Sequence, residues 1–300
     1  MLIGKIPLIL ALATLAACGP ATPDPAADRS QSAAATATDA NPPQKDASMQ
    51  DAHQDSAQPL PPPRPDSVLY FISNVDGYGA LEYEIANGSW IHYWYGFQFE
   101  LGGTRYYTGF AWKTPQLFGA DLENHYPAPD TPVTLAHATF VASEAGSKLP
   151  WDFQGAELYI GEFGGREQGN AIDETRKPRT HTTRDGRLVL AVPTWSLQSG
   201  INVLSYDVLA FDPRETSDVN DTHWTYVGNL HAGYDNTTHC GEDVTGNPPC
   251  VKNTSTLEFV EQPGLPALRV TVSGNPAGQE GDATTEYRYD PGRKSYLPAP

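Results

Sequence analysis

The sequence lacks the short motifs that mark several common enzyme classes. It contains no GxSxG or SxxK motif of serine hydrolases, no HExxH motif of zinc enzymes and no CxxC pair. Helical apolar periodicity is also missing, and short alternating apolar runs are instead separated by Gly, Pro, Asn and Asp. These absences favour a β-rich binding protein over an enzyme of those classes, and nothing in the sequence calls for a cofactor.

Basic residues are scarce relative to acidic ones. The chain has 19 Lys and Arg residues against 36 Asp and Glu residues, a formal net charge of −17 at pH 7. Residues 67–300 alone carry 15 basic and 29 acidic residues, a net charge of −14. Such a field repels nucleic acid and anionic membrane surfaces, whereas it attracts a basic protein. The charge is equally compatible with a role in solubility alone.

The chain opens with the layout of a secretory signal. Residues 1–17, MLIGKIPLILALATLAA, combine an early lysine with an apolar run that is too short to span a membrane. The tetrapeptide LAAC at residues 15–18 resembles the lipobox of bacterial lipoproteins. The resemblance implies cleavage before Cys18, acylation of its thiol (palmitate among the acyl chains) and attachment to a membrane of the cell envelope. Gly19 favours the outer membrane by the same resemblance, with the protein facing the periplasm or the cell surface.

Two regions with different compositions follow the signal. Residues 18–66 are rich in Ala, Pro and Asp and contain almost no large apolar residue, so we expect a disordered tether. Residues 67–300 contain the aromatic and β-branched residues, enough for one sizeable core or for two packed β halves.

The fold class predicted for residues 67–300 is all-β. So many short strands at regular spacing indicate a mostly antiparallel β-sandwich or flattened barrel of about 12–14 strands. The predicted strands are 68–73, 80–86, 90–101, 104–112, 133–141, 156–162, 180–184, 187–192, 203–211, 223–230, 255–260, 267–273, 283–290 and 294–297.

One hairpin allows a residue-level prediction. The Gly102-Gly103 pair suits a two-residue turn, which places Leu101 opposite Thr104. The pairs that follow are Glu100–Arg105 as a salt bridge, Gln98–Tyr107, Gly96–Gly109, Trp94–Ala111 and His92–Lys113. A one-residue slip would exchange the two faces, so this register is strongly specified.

The outer face of this hairpin is the main candidate binding face. Its members are Trp90, His92, Trp94, Gly96, Tyr107 and Gly109. Aromatic rings around a trough of glycines could stack on a sugar ring or accept a loop of a protein partner. Paired glycines also occur where a protein's own second layer packs closely, and that alternative stays open.

The two remaining cysteines, Cys240 and Cys250, form a predicted disulfide. With Cys18 acylated, they are the only pair, and a disulfide persists in an oxidising envelope compartment. A nucleophile formed by Cys240 and His239 would need a reduced thiolate, and zinc would need further ligands.

A basic cluster stands out against the acidic background as a candidate anion patch. Its members are Arg176, Lys177, Arg179, Arg184 and Arg187. The RDGR segment resembles a hairpin turn, which would place Arg184 opposite Arg187. Either an anionic ligand or nearby carboxylates would relieve the repulsion between them.

Three weaker patterns are candidate catalytic or metal sites. Glu157 and Glu162 could serve a glycosidase, with Glu167 nearby, but residues five apart on a regular strand point to opposite faces unless a bulge intervenes. Histidines recur at positions 223, 231 and 239 without the strand continuity that would bring them together. Asp218, Asn220 and Asp221 offer oxygen ligands that could bind calcium, although a plain turn explains them as well.

The predicted function is non-catalytic binding in the cell envelope. The layout resembles that of envelope lipoproteins that inhibit cell-wall-degrading enzymes, whose targets are often basic, although the SGxY signature of some lysozyme inhibitors is absent. The resemblance implies an inhibitor or immunity-type protein that acts on a basic protein. A glycan-binding module is the alternative, and a β-sandwich glycosidase is a third possibility.

Overall fold

The structure is a computed structural model that describes residues 60–119, 125–214, 223–238, 240, 250–274 and 281–300. Within these ranges the chain is all-β apart from one short helix, as predicted. Helix α1 spans Pro65–Ser73. The strands are β1 Glu82–Ala86, β2 Ser89–Leu101, β3 Thr104–Lys113, β4 Val133–Ala142, β5 Trp151–Phe163, β6 Ala171–Ile172, β7 Arg179–Thr182, β8 Leu188–Gln198, β9 Ile201–Phe211, β10 Trp224–Asp235, β11 Thr254–Val260, β12 Ala267–Ser273, β13 Ala283–Asp290 and β14 Ser295–Pro298.

The strands form three antiparallel sheets. The first sheet has the order β1-β2-β3-β4-β5, the middle sheet β10-β9-β8-β6 with β7 also paired to β8, and the last sheet β11-β12-β13-β14. One apolar cluster joins the first and middle sheets, a second joins the middle and last sheets, and a third joins the first sheet to α1. The predicted sandwich is therefore extended to three stacked sheets, with α1 on the outer face of the first.

The middle sheet is buried on both faces, which explains its sequence. Along β8, Leu188, Leu190 and Val192 pack into the cluster with the first sheet, whereas Val189 and Ala191 pack into the cluster with the last sheet. Alternate side chains of a strand point to opposite faces, so a strand covered on both sides needs a continuous apolar run.

Helix α1 replaces the strand that was predicted over 68–73. Pro65 stands at its first turn, a position where proline is tolerated, and Asn74 ends it in the left-handed conformation at φ 54°. Val68, Leu69 and Ile72 form its buried face against the first sheet. The strand prediction was wrong because an apolar run of this length does not distinguish a strand from a buried helix.

The fold also begins before the predicted tether boundary at residue 66. Leu60 packs against the cluster under α1, and the Pro61 carbonyl accepts a hydrogen bond of 2.7 Å from the Trp151 indole nitrogen. The last residues assigned to the tether therefore belong to the folded domain.

The predicted register of the β2–β3 hairpin is correct as far as a bulge in β2. Glu100 lies opposite Arg105 and Gly96 opposite Gly109, although Glu100 and Arg105 do not form the predicted ion pair. Beyond Gly96 an irregularity lies between Tyr93 and Tyr95. The observed pairs there are Tyr95–Phe110, Tyr93–Ala111, His92–Trp112 and Ile91–Lys113. The predicted Trp94–Ala111 and His92–Lys113 pairs are wrong, because a bulged residue shifts the register of everything that follows it.

The predicted disulfide is present. Cys240 and Cys250 are bonded, with their Cα atoms 4.9 Å apart. Residues 241–249, between them, lie outside the described residues, as do the calcium candidates Asp218, Asn220 and Asp221, together with His239 and Cys18. Among the residues that are described, no helix is both long and apolar enough to cross a membrane.

Candidate functional site

The bulge in β2 divides the predicted binding face between two sides of the first sheet. Trp94 turns into the core between the first and middle sheets, where it is 8% exposed and its indole nitrogen donates to the Asn170 carbonyl at 2.8 Å. Tyr107 and Gly109 lie on the opposite side, under α1. A Cβ on Gly109 would lie 2.5 Å from a Val68 methyl carbon, so close packing of the protein's own second layer explains this glycine.

Two members of the predicted face remain near the surface. Trp90 is 43% exposed. His92 stacks on Trp112 at 3.7 Å between ring centroids, and its Nδ1 lies 3.0 Å from a Glu82 carboxylate oxygen. The aromatic trough that the sequence suggested is therefore not present as one surface.

The basic cluster is largely occupied by internal contacts. Arg176 donates to the Asp173 carboxylate at 2.6 Å and to the Thr194 and Ser205 carbonyls. Its guanidinium carbon lies 4.8 Å from the centre of the Tyr206 ring. Burial alone would raise the pKa of Asp173, but hydrogen bonds from Thr175 and Arg176 outweigh it and hold the pKa below its usual range. Arg176 therefore stabilises the 172–178 loop on the middle sheet.

The other predicted pair of this cluster, Arg184 and Arg187, is also neutralised by carboxylates. The Thr183 amide bonds to the Arg187 carbonyl, so the prediction that Arg184 faces Arg187 across the turn is wrong. Arg184 lies 3.3 Å from Glu261, and Arg187 lies 2.7 Å from Asp185. Lys177 and Arg179 are exposed and form no ion pair with any described residue.

Residues of the predicted binding face and of the predicted anion patch lie together at one groove. Neither of the two predictions included this groove. A cavity of about 420 Å³ lies where β2 passes the loop between β6 and β7. We call it the seam groove, and it is lined by Tyr93, Trp94, Tyr95, Gly96, Ile172, Asp173, Glu174, Arg176, Lys177, Pro178 and Pro193. Its walls combine aromatic and aliphatic side chains, and its rim carries one exposed carboxylate and one exposed ammonium group, on Glu174 and Lys177.

The position of the seam groove follows from the curl of the first sheet against the middle sheet. On one side, β5 lies against β10. There the Glu157 carboxylate accepts hydrogen bonds from the backbone amides of His223 at 2.7 Å and Trp224 at 3.2 Å. We call this the closed seam, since a side chain takes the place of a strand partner. The seam groove lies on the other side of the two sheets, where β2 approaches β6 and the loop that follows it.

Among the described strands, none pairs with the outer edge of β2 over most of its length at this side. Strand β1 pairs with β2 from Ser89 to His92, and the Tyr93 amide bonds to the Leu81 carbonyl. From Trp94 to Leu101, no described strand pairs with β2 on the side away from β3.

A row of stacked aromatic rings accompanies this free edge. The Tyr95 and Phe97 rings are 6.4 Å apart, and the Phe97 and Phe99 rings are 5.7 Å apart, both nearly parallel. Tyr95 and Phe97 are only partly buried, whereas Phe99 belongs to the core. Burial raises the pKa of the Tyr95 phenol, so this wall of the groove is uncharged at neutral pH.

A polar cluster at the closed seam places a hydroxyl, a histidine and a carboxylate in the order found in hydrolase triads. His137 Nε2 lies 2.5 Å from a Glu157 oxygen, and His137 Nδ1 lies 3.0 Å from the Thr139 hydroxyl. The Trp224 indole can only donate, to Thr108, whose hydroxyl contacts that of Thr139. The lowered pKa values of His137 and Glu157 favour a neutral imidazole beside a carboxylate, so Nε2 donates to Glu157 and Nδ1 accepts from Thr139. Thr139 then accepts from Thr108, which accepts from Trp224.

Every polar group of this cluster is already used within the protein. Both nitrogens of His137 have partners, and Thr139 is almost completely buried. A small cavity of about 160 Å³ adjoins the cluster. Among the described residues, no group of three or more His, Cys, Asp or Glu side chains is placed to hold a metal ion. These contacts stabilise the closed seam, and His223, which lines the same cavity, donates from Nδ1 to the Asp212 carbonyl at 2.9 Å.

The carboxylates considered for a glycosidase do not form a pair. Strand β5 does contain a bulge, since Gly161 opposes Leu135 and Glu157 opposes His137. The bulge inserts two residues, an even number, so the side chains beyond it still point to the faces expected from simple alternation. Glu162 lies opposite Thr134, on the face away from Glu157. Glu167 contacts His125 at 2.9 Å in a different loop.

A third cavity, of about 540 Å³, lies beside the glycine-containing loop at 164–170. Its lining includes the exposed side chains of Arg166, Gln168 and Gln198. Arg166 and Glu167 are consecutive residues with left-handed backbones, at φ 55° and 56°. Of the described residues, those around this polar cavity best fit the glycan-binding alternative.

Sequence reasoning missed the residues that create the seam groove. Asn170 joins its wall to the core, since its carbonyl accepts from Trp94 and its amide donates to the buried Asp207. Asp207 gave no sequence signal beyond being a lone acid within an apolar strand. Comparisons with protein-family models, with curated proteins and with solved structures found no match for the chain.

Proposed function

We propose that this protein is a non-catalytic, lipid-anchored binding protein of the cell envelope whose partner is a cationic protein. The seam groove is the proposed binding site. The observation that carries the proposal is the free edge of β2, with its row of aromatic rings, at the open side of an otherwise closed pair of sheets.

The distribution of charge supports a cationic partner. Residues 67–300 carry a net charge of −14, and three of the five members of the basic cluster, Arg176, Arg184 and Arg187, pair with internal carboxylates. Lys177 and Arg179 form no ion pair with any described residue. Exposed Glu174 at the groove rim forms no ion pair with any described residue. A field of this sign raises the association rate of a positively charged protein and weakens with added salt.

The groups suited to catalysis support binding over chemistry. Glu157 is bonded to His137 and to two backbone amides, His137 is bonded to Glu157 and Thr139, and Asp173 is bonded to Arg176. None of these side chains offers an unused base or nucleophile to the seam groove.

Capture of a partner tests this function. We expect the full chain, immobilised through its C-terminus, to retain a stoichiometric basic protein from envelope extract or culture supernatant, and raised salt should release it. Tyr95→Ala should weaken this capture at least tenfold, because Tyr95 lines the groove. Tyr159→Ala is the matched control, since Tyr159 is 58% exposed on β5, and it should leave capture unchanged.

Two results would contradict the proposal. If no protein is retained while the domain remains folded, the cationic partner is wrong. If the retained material is a glycan whose binding depends on Arg166 rather than on Tyr95, the protein is a glycan-binding module.

A further inference from the structure

The free edge of β2 indicates how the seam groove binds its partner. Residues 94–101, WYGFQFEL, present backbone donors and acceptors with no described strand partner on one side. Backbone groups of this kind have a strong requirement for hydrogen-bond partners. The segment also contains neither lysine nor proline, the residues that commonly protect an exposed edge.

The opposite edge of the same sheet, strand β5, is protected against strand pairing, unlike the outer edge of β2. Strand β5 carries the bulge between Glu157 and Gly161 and lies against β10. The Glu157 carboxylate there satisfies two backbone amides of the neighbouring sheet. Natural sheets use bulges and covering elements to prevent unwanted pairing. In the described structure, β2 has its bulge at Trp94 but no strand partner on its outer side from Tyr95 to Leu101.

We infer that the partner binds by strand addition, with an extended segment pairing along residues 94–101 of β2. The inference rests on the proposed function and specifies its binding mode. Eight residues at about 3.4 Å each give an edge of about 27 Å, long enough for a full strand. Main-chain hydrogen bonds would supply affinity, and alternate side chains of the added strand would meet the Tyr95 and Phe97 rings.

The occupant is a cationic segment with alternating apolar side chains. The net charge of −14 over residues 67–300 favours basic residues on it. Of the exposed charges near the edge, Glu100, Glu174 and Lys177 form no ion pair with any described residue, so carboxylates outnumber ammonium groups among the unpaired ones. The chain's own residues 18–59 are a poor substitute, because they are rich in Pro, Ala and Asp, which are depleted in strands.

Backbone-modified peptides test strand addition without altering the protein. The probe is an eight-residue acetylated peptide in which lysine and valine alternate, titrated into the full chain in detergent micelles at low salt. Two controls carry N-methyl groups on alternate residues, one on the odd positions and one on the even positions. Composition and charge are preserved, but each control loses the amide donors of one edge of the peptide.

Strand addition predicts a difference between the two controls. One N-methylated peptide should bind at least thirtyfold more weakly than the parent, and the other should bind within about threefold of it. The amide signals that shift on binding should belong to residues 94–101. Equal binding of both controls, shifts confined to other residues or no saturable binding of the parent would overturn strand addition.

This experiment separates the binding mode from the function. If capture of a basic protein succeeds and depends on Tyr95 but the two controls bind equally, the cationic partner stands and strand addition fails. If the peptides behave as expected but no basic protein is captured, the free edge is a strand-binding site and the proposed natural partner is wrong.

Discussion

Replacing Asp207 with asparagine should lower the free energy of unfolding by about 2–4 kcal/mol, because each of its carboxylate oxygens receives two hydrogen bonds in a fully buried site. One oxygen accepts from Tyr226 at 2.7 Å and Asn229 at 2.9 Å. The other accepts from Asn170 at 2.9 Å and Thr194 at 2.8 Å. An asparagine amide would direct N–H groups at one hydroxyl and one amide donor. The hydroxyl can turn to accept, but the amide donor of Asn170 or Asn229 would be left without an acceptor.

The loss can be measured by urea unfolding of the two proteins at pH 8. Asp152→Asn provides the control, since Asp152 is exposed on β5, and surface changes of this kind usually alter stability by less than about 0.5 kcal/mol. Because Asn170 also accepts from the Trp94 indole, the variant should loosen one wall of the seam groove. Equal stability of Asp207→Asn and wild type would show that the four donors do not depend on the carboxylate.

The protein should lose stability as pH falls from about 6.5 to about 4, and His137 at the closed seam should contribute to this loss. Burial also lowers the pKa values of His92 and His231, which act in the same direction, whereas the raised pKa of the buried Asp207 opposes them. Burial lowers the pKa of His137, and the opposing effect of Glu157 is smaller. In the unfolded chain, histidine has a pKa of about 6.5. Below that pH the unfolded chain therefore binds a proton at His137 that the folded chain does not bind. Stability therefore decreases below about pH 6.5, by up to about 1.4 kcal/mol per pH unit.

Glu157 adds to this acid sensitivity at lower pH. Burial alone would raise its pKa, but hydrogen bonds from His137 and from the amides of His223 and Trp224 outweigh it and lower the pKa overall. Its contribution is present above the unfolded pKa of about 4.3 and is lost as pH falls through the lower folded value.

Urea unfolding at several pH values between 7.5 and 4 tests this account of the closed seam. His137→Gln should reduce the slope between pH 6.5 and pH 5, since it removes the buried imidazole, while His92 and His231 keep part of the dependence. Glu162→Gln, five residues beyond Glu157 and exposed, should leave the profile parallel to that of wild type. A His137→Gln profile that also ran parallel to wild type would place the acid sensitivity elsewhere.

The parts of the fold that depend on local chemistry could be predicted from the sequence. The Gly102-Gly103 turn specified the register from Leu101–Thr104 to Gly96–Gly109, because turn type and strand alternation suffice there. The bulge at Trp94 could not be read, since Tyr93, Trp94 and Tyr95 are all aromatic and offer no break in pattern. Helix α1 was missed for a similar reason, as its buried face consists of residues that also favour strands.

The candidate site depends on contacts between residues far apart in the chain. The seam groove forms where β2 meets a loop that follows it by about eighty residues, and no local pattern reports that approach. The basic cluster was visible in the sequence, but its neutralisation by Glu261 was not, because that partner lies on another sheet edge. Sequence composition therefore predicted the class of the fold and the sign of the surface charge but not the position of the groove.

Amide hydrogen exchange on the captured complex is the most direct test of the central claim that the seam groove binds a cationic protein. The expected result is increased protection of residues 93–101 and 172–178 when the partner is bound, with little change on β5 or on the last sheet. Protection confined to residues 164–170 and 195–199, or to the outer face of the last sheet, would contradict the claim and assign binding to another surface.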